Sequence, residues 1–497
     1  MRVLSVASEL FPLLKTGGLA DVAGALPGAL APFGVDMRSL LPAYPAVLQA
    51  VGAGREVAEL ATLPGGPGRL RAVEHDGRVL YLLDAPQLFD RPGNPYVDAT
   101  GTDWPDNGLR FAALAWAAAR IGQGGRGGDP AWQPAIVHCH DWQAGLAPAY
   151  LRLGNAGAGT GVSPRTVMTI HNLAFQGQFP PALLADLDLP GTAFRTDGLE
   201  YYGSLGFLKA GLYYADKLTT VSPTYALEIQ TPDRGMGLDG LLRARSADLL
   251  GIVNGIDEAV WNPATDPFLP VAYDVAGLER KAGNKRALQE RLGLAVDATA
   301  FLCSVVSRLS HQKGMDLLLE SLPTLLAGGG QLALLGSGDA GLAAAFQAAA
   351  ERHAGQVACV LGYDEPLSHL LQGGADAILV PSRFEPCGLT QLYGLRYGTL
   401  PIVARTGGLA DTVIDANHAA LAAGVADGLQ FAPVTAEALR FALQRALELF
   451  RAPDRWRAMQ AFAMRQPVGW QASAERYAAL YRTLAATGRE SGGSPSQ

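Results

Sequence analysis

Short apolar runs that alternate with amphipathic helical segments are the feature that most constrains the fold of this chain. The predicted strands are Val3–Ala7, Met37–Leu41, Ile136–His138, Val167–Ile170, Leu218–Val221, Leu250–Val253, Phe301–Val306, Leu332–Leu335, Val357–Leu361, Ala377–Val380 and Leu400–Ala404. Short runs rich in Val, Ile and Leu that are separated by helices are typical of parallel sheets covered on both faces. The pattern therefore predicts an α/β fold with two Rossmann-like, doubly wound halves.

The chain length and the turn-forming steps indicate how the halves are divided. With 497 residues, the chain exceeds what one hydrophobic core usually supports. Asn-Gly, Asn-Pro and Asp-Pro steps cluster within Asn254–Pro267, where we expect the boundary. We expect an N-terminal domain of residues 1–255, a second domain of residues 256–466, and a C-terminal helix of residues 467–487 that packs on either half. The Gly/Ser-rich residues 488–497 are expected to form a disordered tail.

Charge and cysteine content narrow the range of partners and compartments. The 39 basic residues are outnumbered by 46 acidic ones and form no dense block, so a nucleic-acid partner is not expected. We recognise no leader and no apolar span of membrane length, so a membrane partner is not expected either. Cys139, Cys303, Cys359 and Cys387 are far apart in the sequence, which favours reduced thiols and a cytoplasmic location.

A six-residue loop, Thr-Gly-Gly-Leu-Ala-Asp, occurs twice, at Thr16–Asp21 and at Thr406–Asp411. Each copy follows a basic residue, Lys15 or Arg405, and contains a predicted helix start. Paired glycines let a backbone approach a ligand closely, and a helix N-terminus presents unpaired N–H groups to an anion. A tight turn without a ligand is the alternative, but two matched copies with an adjacent cation favour ligand contact. Lysine is rare in this chain, which makes Lys15 the more informative cation.

Polar residues follow several predicted strands at their carboxyl ends. They are Asp141 and Trp142, His171 and Asn172, Asn254, Arg308 and Lys313, and Glu385. In open parallel sheets, ligands bind beyond the carboxyl ends of the strands. The recurrence of such residues predicts a cleft between the two halves, lined from both sides.

Several of these side chains suit particular chemistry. Arg308 and Lys313 would offer two cations to one volume, which favours a pyrophosphate leaving group over unrelated surface charges. Glu385 precedes a predicted helix and would accept hydrogen bonds from sugar hydroxyls or cap that helix, two interpretations that are about even here. Tyr363 would stack on a base or pack internally. His171 would bond a ligand hydroxyl or a neighbouring backbone group.

Two pairs of residues that resemble metal ligands are interpreted as structural. Asp186 and Asp188 fall in a helical-looking surface segment without a third ligand nearby. His138 and His140 are expected to point to opposite sides of their strand, which would be poor for joint metal binding. We therefore expect neither a metal nor another cofactor.

An ordered set of motifs makes the chain similar to the family of bacterial glycogen synthase and plant starch synthase, from Val3 to about Tyr481. The motifs are Lys15–Val22, Arg91–Tyr96, Asp103–Asn107, His140–Trp142, His171–Gly177, Ser307–Gly314 and Pro381–Gln391. Each motif alone is weak to moderate, whereas the ordered set is very specific. The resemblance implies the GT-B fold, two Rossmann-like domains that face each other across a deep cleft. It also implies that the C-terminal helix crosses back to the first domain.

The resemblance implies an activity and its partners. Glucose would pass from ADP-glucose to the non-reducing 4-OH of an α-1,4-glucan, such as glycogen or a maltooligosaccharide primer. The transfer would retain the anomeric configuration and need no metal. Similar enzymes are thought to react on one face, with the departing phosphate helping to deprotonate the hydroxyl, so no protein nucleophile is assigned.

The family roles carry over onto the matching positions of this chain. The implied catalytic residues are Glu385, His171, Arg308 and Lys313. The implied donor-binding residues are Lys15, Gly17, Gly18, Asn254, Tyr363, Cys387, Gly388, Leu389 and Thr390, with Tyr363 against adenine. The implied acceptor-binding residues are Asp141, Trp142, Tyr96 and Asp21.

The sequence departs from the family pattern at two positions, and three alternative functions are considered. Tyr393 stands where the wider superfamily often carries a second Glu, and Gln143 stands where many relatives carry His. A transferase that uses UDP-glucose would differ by a few base contacts. A phosphorylase would need a lysine bound to pyridoxal phosphate, and Lys281 and Lys285 are the candidates because Lys313 looks committed to phosphate. A catalytically silent glucan-binding protein would be expected to lose a motif residue, and none is lost.

Overall fold

The computed structural model describes residues 1–124, 127–154 and 163–490, with side chains described up to residue 486. The chain divides into two compact units. Unit 1 contains Met1–Val221, Ala226–Ile252 and the chain from Trp470 onward, and unit 2 contains Ser222–Tyr225 and Val253–Gly469. Each unit is built around a sheet of its own.

The strands of unit 1 alternate with helices through most of its length. In chain order they are β1 (Arg2–Val6), β2 (Asp36–Pro42), β3 (Arg55–Leu60), β4 (Gly68–His75), β5 (Arg78–Asp84), β6 (Ile136–His140), β7 (Arg165–Ile170), β8 (Gln178–Phe179), β9 (Glu200–Tyr201), β10 (Ser204–Gly206), β11 (Lys217–Thr220) and β12 (Leu249–Gly251). Within the described residues, the main sheet has the order β12-β11-β7-β6-β1-β2-β5-β4-β3, and a small sheet has the order β8-β10-β9.

Parallel pairing runs through the main sheet from β12 to β5. Val3 of β1 pairs with Met37 of β2 on one side and with Ile136 of β6 on the other. The edge formed by β5, β4 and β3 is antiparallel. The predicted strands did not include β3, β4 or β5. Charged side chains interrupt the apolar residues of β4, whereas β5 carries a continuous apolar run, Val79–Leu83, that the prediction missed.

Unit 2 is a smaller doubly wound unit with only parallel pairs among its described strands. They are β13 (Phe301–Leu309), β14 (Gly330–Gly338), β15 (Val357–Leu361), β16 (Ala377–Val380), β17 (Leu400–Ala404) and β18 (Leu429–Phe431). Their order in the sheet is β15-β14-β13-β16-β17-β18. Every strand predicted from the sequence overlaps an observed strand of its unit, so the predicted α/β class is confirmed.

Helices alternate with the strands of the sheets. Three of them begin at candidate site residues, namely Gly18, Asp141 and Thr390. The α-helices of the described chain are α1 (Gly18–Leu30), α2 (Pro45–Val51), α3 (Pro86–Phe89), α4 (Asn107–Gln123), α5 (Asp141–Ala144), α6 (Ala147–Leu153), α7 (Phe207–Tyr214), α8 (Pro223–Glu228), α9 (Asp239–Ala244), α10 (Lys281–Leu292), α11 (Met315–Ala327), α12 (Ala340–Arg352), α13 (Glu365–Gly374), α14 (Thr390–Tyr397), α15 (Gly407–Thr412), α16 (His418–Ala423), α17 (Ala436–Phe450), α18 (Pro453–Ala463) and α19 (Gln471–Glu490). None of them is long and apolar enough to cross a membrane.

The last helix, α19, belongs to unit 1. Its Tyr477 and Tyr481 are buried in one cluster with Val3 of β1, Val22 of α1 and Ile136 of β6. The helix starts later than the range 467–487 expected from the sequence. It also continues through residues 488–490, which were expected to belong to the disordered tail. Residues 491–497 lie outside the described part of the chain.

Candidate functional sites

The first copy of the repeated loop lies between β1 and α1 in unit 1. Gly17 precedes α1 in an extended conformation, and Gly18 is the first helical residue. The ammonium of Lys15 is 2.9 Å from Oδ1 of Asp21 and 5.4 Å from the centre of the Phe11 ring. A Cβ added at Gly17 or Gly18 would meet no atom within 4 Å. Packing inside unit 1 therefore does not require either glycine.

Glu9, which the sequence patterns did not single out, holds this loop. Its buried carboxylate accepts hydrogen bonds from the backbone N–H and the hydroxyl of Thr16, the latter at 2.6 Å, and from the N–H of Gly17 at 3.3 Å. It also accepts from the hydroxyl of Tyr96, which lies 2.8 Å from Oγ of Ser8. Glu9 therefore brings Tyr96 to the loop. Glu9 follows β1 closely, and that position is the sequence signal that could have identified it.

Two histidines, the buried His140 and the half-buried His171, lie at the carboxyl ends of β6 and β7. Nδ1 of His140 is 2.9 Å from Nε2 of His171, and Nε2 of His140 is 3.2 Å from Oγ of Ser5. Burial lowers the pKa of His140 to about 3 and the pKa of His171 well below its usual value. Both rings are therefore neutral, with one donor and one acceptor nitrogen each. Because Nε2 of His171 faces His140, Nδ1 is the nitrogen that can meet a ligand.

The prediction that His138 and His140 point to opposite sides was wrong. Side chains repeat every two residues along a strand, so both rings lie on one face of β6, with centroids 4.2 Å apart. Nδ1 of His138 is 2.7 Å from the hydroxyl of Tyr481, and its Nε2 is 2.6 Å from Oγ1 of Thr169. Both nitrogens of His138 are engaged in hydrogen bonds. Among the described residues, no group of three or more His, Cys, Asp or Glu side chains could hold a metal ion.

Asp141 and Trp142 open the short helix after β6 and have different environments. Asp141 has a left-handed backbone, with φ of 53°, and its carboxylate accepts the N–H of His171 at 2.7 Å. Burial raises the pKa of Asp141 to about 7, although that hydrogen bond favours the charged form. The Trp142 ring is buried, with its centroid 5.0 Å from that of Phe111 in an edge-on contact and 5.6 Å from that of Phe179. Trp142 therefore packs in an aromatic cluster with Phe111 and Phe179.

In unit 2, the buried carboxylate of Glu385 forms an ion pair with the half-buried Lys313. The residue is 7% exposed, and its Oε2 lies 2.5 Å from Nζ of Lys313 and 2.9 Å from the hydroxyl of Ser382. Helix α14 begins only at Thr390, with Leu389 in the cap position. Glu385 therefore does not cap this helix, and the structure decides against that interpretation of its carboxylate.

Arg383 and Asp316, which the sequence patterns did not single out, tie the two motifs of unit 2 together. The Arg383 guanidinium makes two hydrogen bonds to the Asp316 carboxylate, at 2.7 and 2.6 Å, and a third to the carbonyl of His311 at 2.6 Å. Gly314 has φ of +69°, and a Cβ there would lie 2.0 Å from the carbonyl oxygen of Pro381. These contacts fix the segment that carries Lys313 against the segment that carries Glu385.

Arg308 differs from Lys313 in its surroundings. It is the penultimate residue of β13, and its side chain is exposed. Within the described chain, no hydrogen bond or ion pair engages its guanidinium. A guanidinium in this state is available to an anion, whereas the Lys313 ammonium already has a carboxylate partner.

Asn254 and Cys387 are hydrogen-bonded neighbours in unit 2, and Cys387 follows Glu385 by two residues. Asn254 is 7% exposed, and its Oδ1 has no hydrogen-bond partner among the described residues. Burial raises the pKa of Cys387 to about 12, despite hydrogen bonding from Asn254, so the thiol is neutral. A buried amide oxygen without a donor is costly, and a ligand hydroxyl would satisfy it.

The second copy of the repeated loop supports Glu385. The N–H of Gly408 is 3.1 Å from the carbonyl oxygens of both Glu385 and Pro386. Gly407 has φ of +44°, and a Cβ there would lie 2.1 Å from the carbonyl oxygen of Glu385. A Cβ at Gly408 would lie 2.3 Å from the carbonyl oxygen of Cys387. This copy is a tightly packed turn, which is the alternative that the sequence left open for the repeat.

The remaining donor-side candidates follow β15 and Glu385. Tyr363 is 80% exposed, and its hydroxyl donates to Glu365. Gly388 has φ of +72°, and the Gln391 amide donates to the carbonyl oxygens of Cys387 and Gly388 at 3.0 and 2.9 Å. The structure thus holds the backbone before Leu389 and Thr390 in one conformation.

Comparisons with known proteins now decide the family. The family model described as "Starch synthase catalytic domain" matches residues 2–244, and the one described as "Glycosyl transferases group 1" matches residues 289–459. A glycogen synthase of Rhodopseudomonas palustris is 58% identical over 98% of this chain and 98% of that protein. Glycogen synthase 1 of Rhizobium meliloti is 55% identical over 98% of this chain and 100% of that protein. This chain belongs to the glycogen synthase family.

Solved structures agree with this membership. The catalytic domain of starch synthase IV from Arabidopsis thaliana, bound to ADP and acarbose, matches with a TM-score of 0.87 at 30% identity, over 98% of this chain and 99% of that one. A sucrose-phosphate synthase from Thermosynechococcus elongatus shares the fold, with a TM-score of 0.58 at 19% identity. The predicted glycogen synthase family, the GT-B fold class and the glucosyltransferase activity are confirmed.

The lysines of unit 2 do not suit the phosphorylase alternative. Nζ of Lys281 donates to the carbonyl oxygens of Gln372 and Gly373, at 3.1 and 2.9 Å, and to Oγ1 of Thr399 at 2.7 Å. Nζ of Lys285 lies 2.7 Å from Oδ2 of Asp376. Both ammonium groups are buried and already hold hydrogen-bond or ion-pair partners in this glycogen synthase family member.

The two departures noted in the sequence have different settings. Gln143 is buried in α5, and its Oε1 has no hydrogen-bond partner among the described residues. Tyr393 stacks on Trp261, with ring centroids 3.7 Å apart and planes 15° apart. In this glycogen synthase family member, position 393 is therefore part of an aromatic stack.

Proposed function

We propose that this glycogen synthase family member transfers glucose from ADP-glucose to the non-reducing 4-OH of an α-1,4-glucan. The bond between glucose C1 and the phosphate oxygen breaks, and a bond from C1 to the acceptor oxygen forms on the same face. The hydroxyl proton passes to the departing phosphate, so ADP leaves and the anomeric configuration is retained. The glycogen synthases among the relatives, and the ADP and acarbose bound to the Arabidopsis starch synthase, support this proposal.

The ion pair between Lys313 and the buried Glu385 is the observation that carries the proposal. A carboxylate that is 7% exposed retains acceptor capacity for the hydroxyls of a donor glucose beyond its contacts with Lys313 and Ser382. Lys313 and the exposed Arg308 supply positive charge where the ADP leaving group becomes more negative. Glu385 acts as an electrostatic and positioning group.

Donor contacts are proposed from both units. The exposed Lys15–Asp21 pair is the kind of surface ion pair that contributes at most about 1 kcal/mol, so Lys15 can exchange Asp21 for a donor phosphate. The backbone of Gly17 and Gly18 would approach the same phosphates. In unit 2, the proposed glucose contacts are Asn254, Cys387, Gly388, Leu389 and Thr390, and the proposed adenine contact is Tyr363.

Acceptor contacts are proposed for unit 1. Asp141, Asp21 and Tyr96 are polar side chains around the carboxyl ends of β1 and β6. His171, proposed as a catalytic residue and not as an acceptor contact, would present Nδ1 to a hydroxyl of the donor glucose, because Nε2 faces His140. Trp142 would act by packing against Phe111 and Phe179, since its ring is buried.

No metal or other cofactor is part of the proposal, because Arg308, Lys313 and Lys15 can supply the positive charge that the phosphates need. The proposed location is the cytoplasm. Four cysteines are free, three of them buried, as is usual for a protein kept in a reducing compartment.

Parallel incubation of the enzyme and glycogen with labelled ADP-glucose or labelled UDP-glucose tests the proposal. We expect the polymer to be labelled from ADP-glucose at a much higher rate. Labelling from UDP-glucose alone would overturn the donor assignment. Absence of labelling from either donor, together with binding to glycogen, would favour the silent glucan-binding protein.

A further inference from the structure

Tyr363 is an exposed side chain with a defined anchor. It lies between β15 and α13, is 80% exposed, and donates its hydroxyl to Oε2 of Glu365, the first residue of α13. An exposed side chain that must be immobilised by a ligand costs about 0.5–1.5 kcal/mol in lost rotamer freedom. A hydrogen bond that orients the ring before binding reduces that cost.

His369 in turn holds Glu365. The two residues are four positions apart on α13, and Nε2 of His369 lies 3.4 Å from Oε1 of Glu365, an ion-pair contact without hydrogen-bond geometry. His369 is 1% exposed, and its Nδ1 lies 2.7 Å from Oδ2 of Asp266, which is also buried. Asp266 accepts a further hydrogen bond from the hydroxyl of Tyr397. The Glu365 carboxylate thus touches a buried imidazole through one oxygen and Tyr363 through the other.

The imidazole of His369 carries a positive charge. Burial alone would lower the pKa of His369, but the carboxylates of Asp266 and Glu365 outweigh it and raise the pKa to about 9. At neutral pH both ring nitrogens therefore carry protons and face carboxylate oxygens. The aromatic rings of Trp261 and Phe268 cover the imidazole, with centroids 3.9 and 4.9 Å from it.

The Trp261 ring fixes the position of the imidazole. Its plane is 7° from that of His369, which is the geometry of a cation–π stack. Its other face stacks on Tyr393 of α14, the helix that follows the Glu385 segment. The Tyr at position 393 therefore supports α13 through Trp261 and His369.

We infer that Glu365 and His369 are positioning residues that hold Tyr363 ready to stack on the nucleotide base of the donor. His369 keeps the Glu365 carboxylate in place, and Glu365 keeps the Tyr363 ring oriented. The inference rests on the proposed contact between Tyr363 and adenine. Neither residue touches the reacting atoms, so both act on donor binding and not on the chemical step.

A double-mutant cycle tests the pair. Tyr363→Phe removes only the hydroxyl, and Glu365→Ala removes its acceptor together with the carboxylate that contacts His369. Each variant should raise KM for ADP-glucose and Kd for ADP about three- to tenfold, with kcat within about twofold of the wild type, because only ring orientation is lost. The double variant should be no weaker than either single one, because both substitutions break the same interaction.

Controls separate this inference from the proposed function. Glu290→Ala removes an exposed carboxylate that pairs with Arg286 four positions away on α10, and it should leave KM unchanged. Tyr363→Ala removes the whole ring and should weaken ADP binding more than Tyr363→Phe. Normal ADP binding by Tyr363→Ala would contradict the proposed contact between Tyr363 and adenine. It would therefore also overturn this inference.

Two results would overturn the inference while leaving the base contact intact. One is weak ADP binding by Tyr363→Ala with normal KM values for Tyr363→Phe and Glu365→Ala. The other is additive losses in the double variant. His369→Gln should raise KM as Glu365→Ala does, and if that buried substitution prevents folding, the Tyr363–Glu365 cycle still decides.

Discussion

Two segments of this enzyme share the sequence Thr-Gly-Gly-Leu-Ala-Asp and lie in different surroundings. In unit 1, a methyl group added at Gly17 or Gly18 would meet no atom within 4 Å. In unit 2, one added at Gly407 would lie 2.1 Å from the carbonyl oxygen of Glu385, and one at Gly408 would lie 2.3 Å from that of Cys387. The second copy needs its glycines for packing, whereas the first copy does not.

The contrast separates two uses of paired glycines. The second copy is a platform for the backbone that carries Glu385, and it acts on the chemistry only through that residue. The first copy keeps an open surface beside Lys15, which suits the close approach of a phosphate. Substitutions in the two copies should therefore affect different quantities.

Glu385→Gln should have the largest effect, because it tests the residue that the second copy supports. We expect kcat to fall by about 10²–10³, since a buried charged group that positions the sugar is lost. KM for ADP-glucose should change much less. Steady-state kinetics with glycogen as acceptor measures both, and near-normal turnover would remove Glu385 from its proposed role.

Gly408→Ala tests the platform itself. The added methyl group must displace the Cys387 backbone, and a misplacement of about 1 Å at a reacting centre can cost about 10² in rate. We expect a large fall in kcat and a lower Tm, measured by kinetics and thermal unfolding. If both values match the wild type, the second copy does not support Glu385.

Lys15→Gln tests the cation of the first copy. Loss of a charge-assisted hydrogen bond to phosphate, worth about 1.5–3 kcal/mol, should raise KM for ADP-glucose by roughly tenfold or more. Because the contact is made to the ground-state donor, kcat should fall much less. Lys217→Gln, which removes a lysine paired with Asp248 in the same unit, is a matched control that should leave KM unchanged. An unchanged KM for ADP-glucose in Lys15→Gln would contradict the proposed phosphate contact of the first copy.

Gly18→Ala is the matched counterpart of Gly408→Ala. No atom obstructs the new methyl group, and a Gly-to-Ala change at a helical position stabilises by about 0.4–1 kcal/mol. We expect Tm to rise slightly, within about 3 °C, while KM for ADP-glucose increases. A fall in Tm as large as that of Gly408→Ala would show that the two copies are equivalent.

A buried histidine in each unit should contribute stability with an opposite dependence on pH, and this is the smallest effect that we expect. The pKa of His369 in unit 2 is about 9, above the unfolded value of about 6.5, so its stabilisation is full below pH 6.5 and is lost as the pH rises through 9. The pKa of His140 in unit 1 is about 3, so its contribution is full above pH 6.5 and is lost as the pH falls towards 3. The Tm difference between wild type and His369→Gln should shrink by roughly 3 °C between pH 7 and 10. A constant difference would contradict the charged state of His369.

Much of the fold could be predicted because burial leaves a local pattern in the sequence. The runs at Val3–Ala7 and Leu400–Ala404 are covered on both faces in the structure and read as continuous apolar segments. The strands β3 and β4 carry several charged side chains among their apolar ones, and such segments resemble polar loops. Several site residues, such as Glu385 and His171, could be found because they follow buried strands.

The partners of those residues depend on contacts across long stretches of chain. Arg383 meets Asp316 and Tyr96 meets Glu9, and no local pattern predicts which side chains will pair. The same holds for the stack that joins His369 to Trp261 and Tyr393.

The repeated loop shows where the two kinds of information divide. The sequence by itself determined that each copy is a strand-to-helix turn with two glycines, because that preference is local. Only the tertiary structure decided that the Glu385–Cys387 backbone lies against the second copy and that the first copy is open. Identical residues acquire different roles because the atoms that contact them come from distant parts of the chain.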